Sequence, residues 1–181
     1  AIDLFIRQMS VTANRKLRVR FKEAFQLGLR GKATLREAFQ PVDLVPLIND
    51  AVDCMEPVAD AREQPLQISL PEHAHLLGHR DLLFQLLINL LDNAIKFTPV
   101  GGRIRLALAS QGSSWQLTIA DSGPGIPEAE HQKVFDRLYR LDATRQTPGL
   151  GLGLSLVQAV TTLHQGSISL SAAATETRLP H

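Results

Sequence analysis

The sequence carries one cysteine, Cys54, among its 181 residues, together with one tryptophan and one tyrosine, and aromatics make up only 5% of it. A lone thiol excludes an internal disulfide framework and any cysteine-rich metal centre, and it fits a reducing compartment. Cys54 itself reads as a packing residue. Long hydrophobic runs are also missing. The most apolar stretch, Leu82 to Leu91, is interrupted by Gln85 and Asn89 and falls short of the roughly 20 residues that a membrane span needs. The chain opens Ala-Ile-Asp, without the basic region, apolar run and cleavage site of a signal peptide, and it reads as a piece of something longer. Neither sign of charge dominates, with 19 Lys+Arg against 18 Asp+Glu and a net charge of +1. The 44% of apolar residues is ordinary globular composition, enough for one core at this length and unlike a disordered tail.

The near-zero net charge conceals an uneven distribution. Between Arg15 and Arg36 stand Arg15, Lys16, Arg18, Arg20, Lys22, Arg30, Lys32 and Arg36 against Glu23 alone, which leaves the rest of the chain acidic. Such a stretch suits nucleic acid or anionic lipid, but a solvated helix face is its commoner meaning, and no nucleic acid is expected as a partner.

Residues 1 to about 32 read as a helical arm, with Leu17, Phe21, Phe25 and Leu29 spaced by four and Gly28 and Gly31 weakening its end. A short extended piece is expected near Leu35 to Phe39. Asp43 then caps a helix whose apolar stripe is Leu44, Leu47, Ile48, Ala51, Val52 and Met55. Leu66 to Leu70 alternates as a strand, a loop follows, and a long helix runs from Arg80 to about Phe97, stopped by Pro99 and Gly101-Gly102. Arg103 to Ala109 and Trp115 to Asp121 alternate with period two about the Gln111-Gly112-Ser113 turn, so they form an antiparallel hairpin. A short helix over Glu128 to Phe135, a polar segment from Arg137, a helix with stripe Leu156, Val157, Val160 and Leu163, and two strands, Ser167 to Ser171 and Glu176 to Leu179, complete the chain. The expected class is α+β, a two-layer α/β sandwich with helices on one face of a mixed, largely antiparallel sheet.

The helix from Arg80 to Phe97 is apolar around most of its circumference except for a narrow stripe of Gln85, Asn89, Asn93 and Lys96. Asparagines four apart on a buried helix need partners, because their amides compete with backbone hydrogen bonds. Local backbone satisfies that need; so do a cation and phosphates, since amide oxygens suit a hard Mg²⁺ ion. Asp121 extends the face of Trp115, Leu117 and Ile119 and should point inward, where a carboxylate needs a donor. A local cap on the Ser122-Gly123 turn or the amino group of a purine meets that requirement. Gly149-Leu-Gly151-Leu-Gly153 opens a helix with unpaired N–H groups, which is anion-binding geometry, though it matches neither the P-loop nor the dinucleotide glycine pattern.

In this order the segments resemble the catalytic ATP-binding domain of sensor histidine kinases, in the superfamily of gyrase, heat-shock chaperone and mismatch-repair ATPases. The resemblance runs from about Pro41 to Leu179. Asn89 to Pro99 is similar to the family's N box, Asp121 to Pro127 to its first glycine box, Val134 to Arg140 to its F box, and Gly149 to Ser155 to its second glycine box. It implies Mg²⁺ at Asn89 and Asn93, phosphates at Lys96 and Arg140, adenine at Asp121, and the nucleotide beside Gly123, Gly125 and Tyr139. Gly149, Gly151 and Gly153 would border the phosphates, and a mobile lid would span about Arg137 to Leu150. Residues 1–40 would be an arm left from the dimerisation hairpin, and 41–181 the ATP-binding domain.

The implied activity is ATP- and Mg²⁺-dependent transfer of the γ-phosphoryl group to a histidine outside this chain. The six histidines here are followed by Ala (His73), Leu (His75), Arg (His79), Gln (His131, His164) or nothing (His181), whereas the family's acceptor is followed by an acidic residue. His73, His75 and His79 straddle a loop without a fourth partner and read as surface residues. The family's hydrolases typically carry a Glu base where this chain has Asn89, whose amide takes no proton at neutral pH. An ATP hydrolase or an ATP-binding regulatory module is the alternative. The implied partners are a phosphoacceptor histidine domain, a response regulator receiver domain and a second copy of the parent kinase. The implied place is the cytoplasm, at the inner face of a bacterial inner membrane. Ala172-Ala173-Ala174 departs from the Gly- or Pro-containing turn that the family commonly places between its last two strands.

Overall fold

A computed structural model describes residues 2–6, 36–139 and 152–171. In chain order its strands are β1 (Ile2–Ile6), β2 (Gln40–Asp43), β3 (Leu66–Ser69), β4 (His75–Gly78), β5 (Ile104–Gln111), β6 (Ser114–Asp121) and β7 (Ser167–Leu170). The helices are α1 (Leu44–Asp60), α2 (Arg80–Phe97) and α3 (Gly153–Leu163). A five-stranded sheet runs β3-β5-β6-β1-β7, and β2 pairs with β4 in a separate ribbon. Among the described strands only the β3–β5 pair is parallel; β5–β6, β6–β1, β1–β7 and β2–β4 are antiparallel. The expected two-layer sandwich is thus present, with α2 and α3 packed over the sheet and α1 packed against α2.

Side-chain periodicity explains the layers. On α1 the residues at Leu44, Leu47, Ile48, Ala51, Val52, Met55 and Ala59 are buried, one face of a 3.6-residue period. Asp43 caps it, its Oδ1 accepting from Val45 N at 3.0 Å, and Pro46 falls in the first turn, where an amide hydrogen has no helical partner. α2 lies between α1 and α3 and buries nine apolar residues from Leu82 to Ile95, each fully buried leucine contributing roughly 2 kcal/mol. Leu106, Leu108, Leu117 and Ile119, alternate residues of β5 and β6, close the core from below. Gly112, at φ +60°, turns the hairpin between them.

Five features differ from expectation. Residues 2–6 form a strand, not the start of a helix. Ile2–Ile6 pairs with β6 on one side and β7 on the other, so two ladders satisfy backbone groups that a helix would satisfy internally. The extended segment expected at Leu35 to Phe39 lies slightly later, at Gln40–Asp43. β4 stands where a plain loop was expected, and the single helix over Glu128 to Phe135 is two short 3-10 turns, Glu128–Glu130 and Lys133–Phe135. Cys54 faces solvent from α1 instead of packing. The basic stretch up to Leu35, the strand expected at Glu176 to Leu179 and most of the expected lid lie outside the described residues. Among the described residues no helix is long and apolar enough to cross a membrane.

Candidate nucleotide site

The polar stripe of α2 is where the sequence places it. Gln85, Asn89, Asn93 and Lys96 are all half-buried on a helix whose remaining inner positions are closed. Asn89 Nδ2 donates to Gln85 O at 2.6 Å, one turn back. That bond satisfies the amide nitrogen locally and fixes the side chain so that its oxygen is the outward atom. The side-chain amide of Asn93 has no hydrogen-bond partner among the described residues. Lys96 Nζ is paired with Asp92 Oδ2 at 2.5 Å across one turn of the helix, which holds the ammonium at the rim.

The N-terminus of α3 comes up against this stripe. A β-carbon placed on Gly153 would stand 3.5 Å from Asn89 Oδ1, 3.5 Å from Asn93 Nδ2 and 3.7 Å from Asn93 Oδ1. The glycine therefore leaves space for no more than a methyl group between two amides and a helix N-terminus whose first N–H groups have no helical acceptor. The first turn is braced by Ser155 Oγ, which donates to Leu152 O at 3.1 Å.

At the end of β6, Asp121 is half-buried. Its Oδ1 accepts from Gly123 N at 2.9 Å, the local cap, and its second oxygen is left for another donor. Cap and ligand acceptor are therefore compatible roles for the two oxygens of one carboxylate. Gly123 has no room for a side chain, because a β-carbon there would meet Asp121 Oδ1 and Phe97 O, each at 2.7 Å. The Asp121 turn thus lies close against the C-terminal end of α2. Gly125, at φ +71°, continues the turn.

Of the F-box segment, Val134 and Phe135 are buried and pack their turn against α3. Tyr139 is half-buried, and its hydroxyl donates to the Glu130 carboxylate. That hydrogen bond, with Lys133 nearby, holds the Glu130 carboxyl below the usual carboxylate range. Arg140, Gly149 and Gly151 lie outside the described residues.

Two supports went unseen in the sequence. Gln64, fully buried, reaches across with Nε2 to three carbonyls at the end of α2: Thr98 O at 2.7 Å, Pro99 O at 3.1 Å and Ile95 O at 3.2 Å. It joins Arg62, which donates to Thr98 O, and Gly102 N, which donates to Pro99 O, in tying off the end of the helix, and nothing in the polar run Arg62-Glu63-Gln64 singles it out in the sequence. The second is His164 at the end of α3, stacked on Phe39 with ring centroids 4.5 Å apart. Its Nδ1 lies 2.5 Å from Val160 O and so carries the proton, while Nε2 accepts from His79 N at 3.4 Å. Burial pushes its pKa down to about 3, so the ring is neutral. Arg36 Nε donates to Leu163 O at 3.3 Å beside it. The chain entering the domain is thereby anchored to the helix that carries Gly153.

The model of the family described as histidine kinase-, DNA gyrase B-, and HSP90-like ATPase matches residues 78–179. The chain belongs to this family. Among curated proteins, the signal transduction histidine-protein kinase BaeS of Escherichia coli (strain K12) is 35% identical over 145 residues, covering 79% of this chain and 31% of that protein. Among solved structures, the mycobacterial sensor histidine kinase MprB superposes with a TM-score of 0.61 at 33% identity, over 70% of this chain and 80% of that one. The ATP binding domain of PrrB from Mycobacterium tuberculosis gives 0.56 at 29% identity, over 76% and 89%. This ATPase domain is thus of the catalytic, ATP-binding kind found in sensor histidine kinases, and it spans about a third of the length of the curated relatives it matches.

Proposed function

We propose that this domain binds Mg²⁺·ATP between α2, the N-terminus of α3 and the Asp121 turn, and transfers the γ-phosphoryl group to a histidine on a partner domain. The observation that carries the proposal is the convergence on Gly153 of the Asn89 and Asn93 amides with a helix N-terminus. Hard amide oxygens fit Mg²⁺. The cation, when bound, neutralises charge on the phosphates; Asn89 and Asn93 would hold it. Lys96 and Arg140 would orient the phosphates, and the free oxygen of Asp121 would accept from the adenine amino group. Gly123, Gly125 and Tyr139 would border the base, and Gly149 and Gly151 would lie with Gly153 at the phosphates.

In the transfer step an imidazole nitrogen of the acceptor forms a bond to the γ-phosphorus while the bond to the bridging oxygen of ADP breaks. Such a step depends on alignment and charge neutralisation more than on a protein base, which accords with Asn89, an amide that accepts no proton at neutral pH. In this reading residues 41–181 are the catalytic unit, with β1 supplied to its sheet by the N-terminal segment. The partners are a phosphoacceptor histidine domain, a response regulator receiver domain and a second copy of the parent kinase. The site of action is the cytoplasmic face of a bacterial inner membrane.

The test is incubation with γ-labelled ATP and Mg²⁺, with and without a separately supplied histidine-hairpin domain from a sensor kinase. Acid-labile label on the hairpin is the expected outcome. Tight ATP binding without label would assign the domain to regulation, and release of free phosphate alone would assign it to hydrolysis.

A further inference from the structure

A second cluster of ligand atoms lies on the β2–β4 ribbon, beside the start of β6 and so at the other end of that strand from Asp121. β2 and β4 pair with Asp43 opposite His75. His73 and His75 flank Ala74, which is fully buried and whose carbonyl accepts from Leu44 N at 2.7 Å. Side chains alternate along an extended segment, so burying Ala74 turns both imidazoles to the outside. One donor atom from each of Asp43, His73 and His75 lies within 4.8 Å of the other two. The two rings are nearly parallel, 12° apart, with centroids at 6.3 Å.

The scaffold beneath the cluster is fixed. Trp115 Nε1 donates to His75 O at 2.9 Å, and Asp43 spends Oδ1 on the Val45 amide, which orients the carboxylate and leaves its second oxygen. His79, the third histidine of the segment, belongs elsewhere: its backbone N–H is bound to His164.

We propose that Asp43, His73 and His75 form a binding site for a divalent cation of the zinc class. Two imidazoles and one carboxylate are the ligand types of Zn²⁺ and its transition-metal neighbours, whereas Mg²⁺ prefers oxygen alone. At metal–ligand distances of about 2.1 Å, tetrahedral ligand atoms stand about 3.4 Å apart. His73 and His75 are exposed, so rotation of their side chains closes the remaining gap. Water completes the coordination. Trp115 and Asp121 are six residues apart on β6, about 20 Å along a strand, so the site is separate from the nucleotide pocket. A bound cation ties the loop before β4 to the junction of β2 and α1, the point at which the preceding chain enters the domain.

The experiment titrates Zn²⁺ into the protein, free of any polyhistidine tag and in excess Mg²⁺, by calorimetry and by thermal melting, with Co²⁺ absorbance as a report of the ligand set. The expected result is saturable binding of one equivalent, a raised melting temperature, and affinity lowered by more than about 100-fold in His73→Ala/His75→Ala. Because both imidazoles are exposed, the metal-free melting temperature of that variant stays at the wild-type value. Asp43→Asn, which keeps a helix-capping oxygen, also weakens Zn²⁺ binding. Absence of saturable binding up to millimolar Zn²⁺, or binding unchanged in the double variant, would overturn the proposal.

Discussion

Gly153 faces Asn93 so closely that a β-carbon on the glycine would touch the amide, 3.5 Å from Nδ2 and 3.7 Å from Oδ1. These are ordinary van der Waals distances, so Gly153→Ala should fold normally while placing a methyl group in the space between the two asparagines. Mg²⁺·ATP affinity is expected to fall about tenfold, about 1.4 kcal/mol, with the melting temperature little changed. Calorimetry beside a thermal melt checks both halves, and unaltered affinity would place the nucleotide elsewhere.

Asp121→Asn removes the anionic acceptor but keeps an oxygen for Gly123 N. Stability should hold, while adenine-nucleotide binding loses roughly 1.5 to 3 kcal/mol, the range for a hydrogen bond to a charged group. Comparing ATP with a triphosphate whose purine lacks the amino group separates base recognition from general damage. The variant should bind the two almost alike.

Gln64→Leu leaves the carbonyls of Ile95, Thr98 and Pro99 without the donor that now serves all three. The expected cost is about 1 to 3 kcal/mol of unfolding free energy, read by urea denaturation. A variant as stable as the parent would show that Arg62, which also donates to Thr98 O, and Gly102 N, which donates to Pro99 O, suffice without it.

Acid should destabilise the domain through His164. Its folded pKa is about 3 against the ordinary imidazole value of 6.5, so below pH 6.5 the unfolded chain binds a proton that the native ring refuses. Stability is therefore insensitive to this group above about pH 6.5 and falls as the pH drops towards 3, by about 2 kcal/mol at pH 5. His79 is also shifted down, chiefly by burial, and acts in the same direction. Urea titrations from pH 7.5 to 5 should show a shallower slope in His164→Gln; an identical slope would move the effect to another group.

Periodic elements were legible and isolated ones were not. The stripes of α1 and α2 and the alternation of β5 and β6 each repeat over eight or more residues, so their buried faces follow from sequence alone. β4 has four residues and earns its place from pairing with β2, a partner that local pattern does not reveal. The helical spacing of Leu17, Phe21, Phe25 and Leu29 does not extend back to Ile2–Ile6, which form β1. Its strand character comes from two partners more than 100 residues away in sequence. At the candidate site, the polar stripe of α2 and the Asp121 turn were visible because amides and an inward acid are out of place on apolar faces. Gln64 and the pairing of Asp43 with His73 and His75 escaped notice because each depends on a contact made only in the fold.

The most direct test is ATP affinity measured by calorimetry with and without Mg²⁺, for the wild-type domain and for Asn93→Ala. The expected result is that Mg²⁺ strengthens binding to the wild type, and that the variant loses this increment while its Mg²⁺-free affinity stays close to the parent's. An equal response to Mg²⁺ in both proteins would contradict the assignment of the α2 amides to the cation.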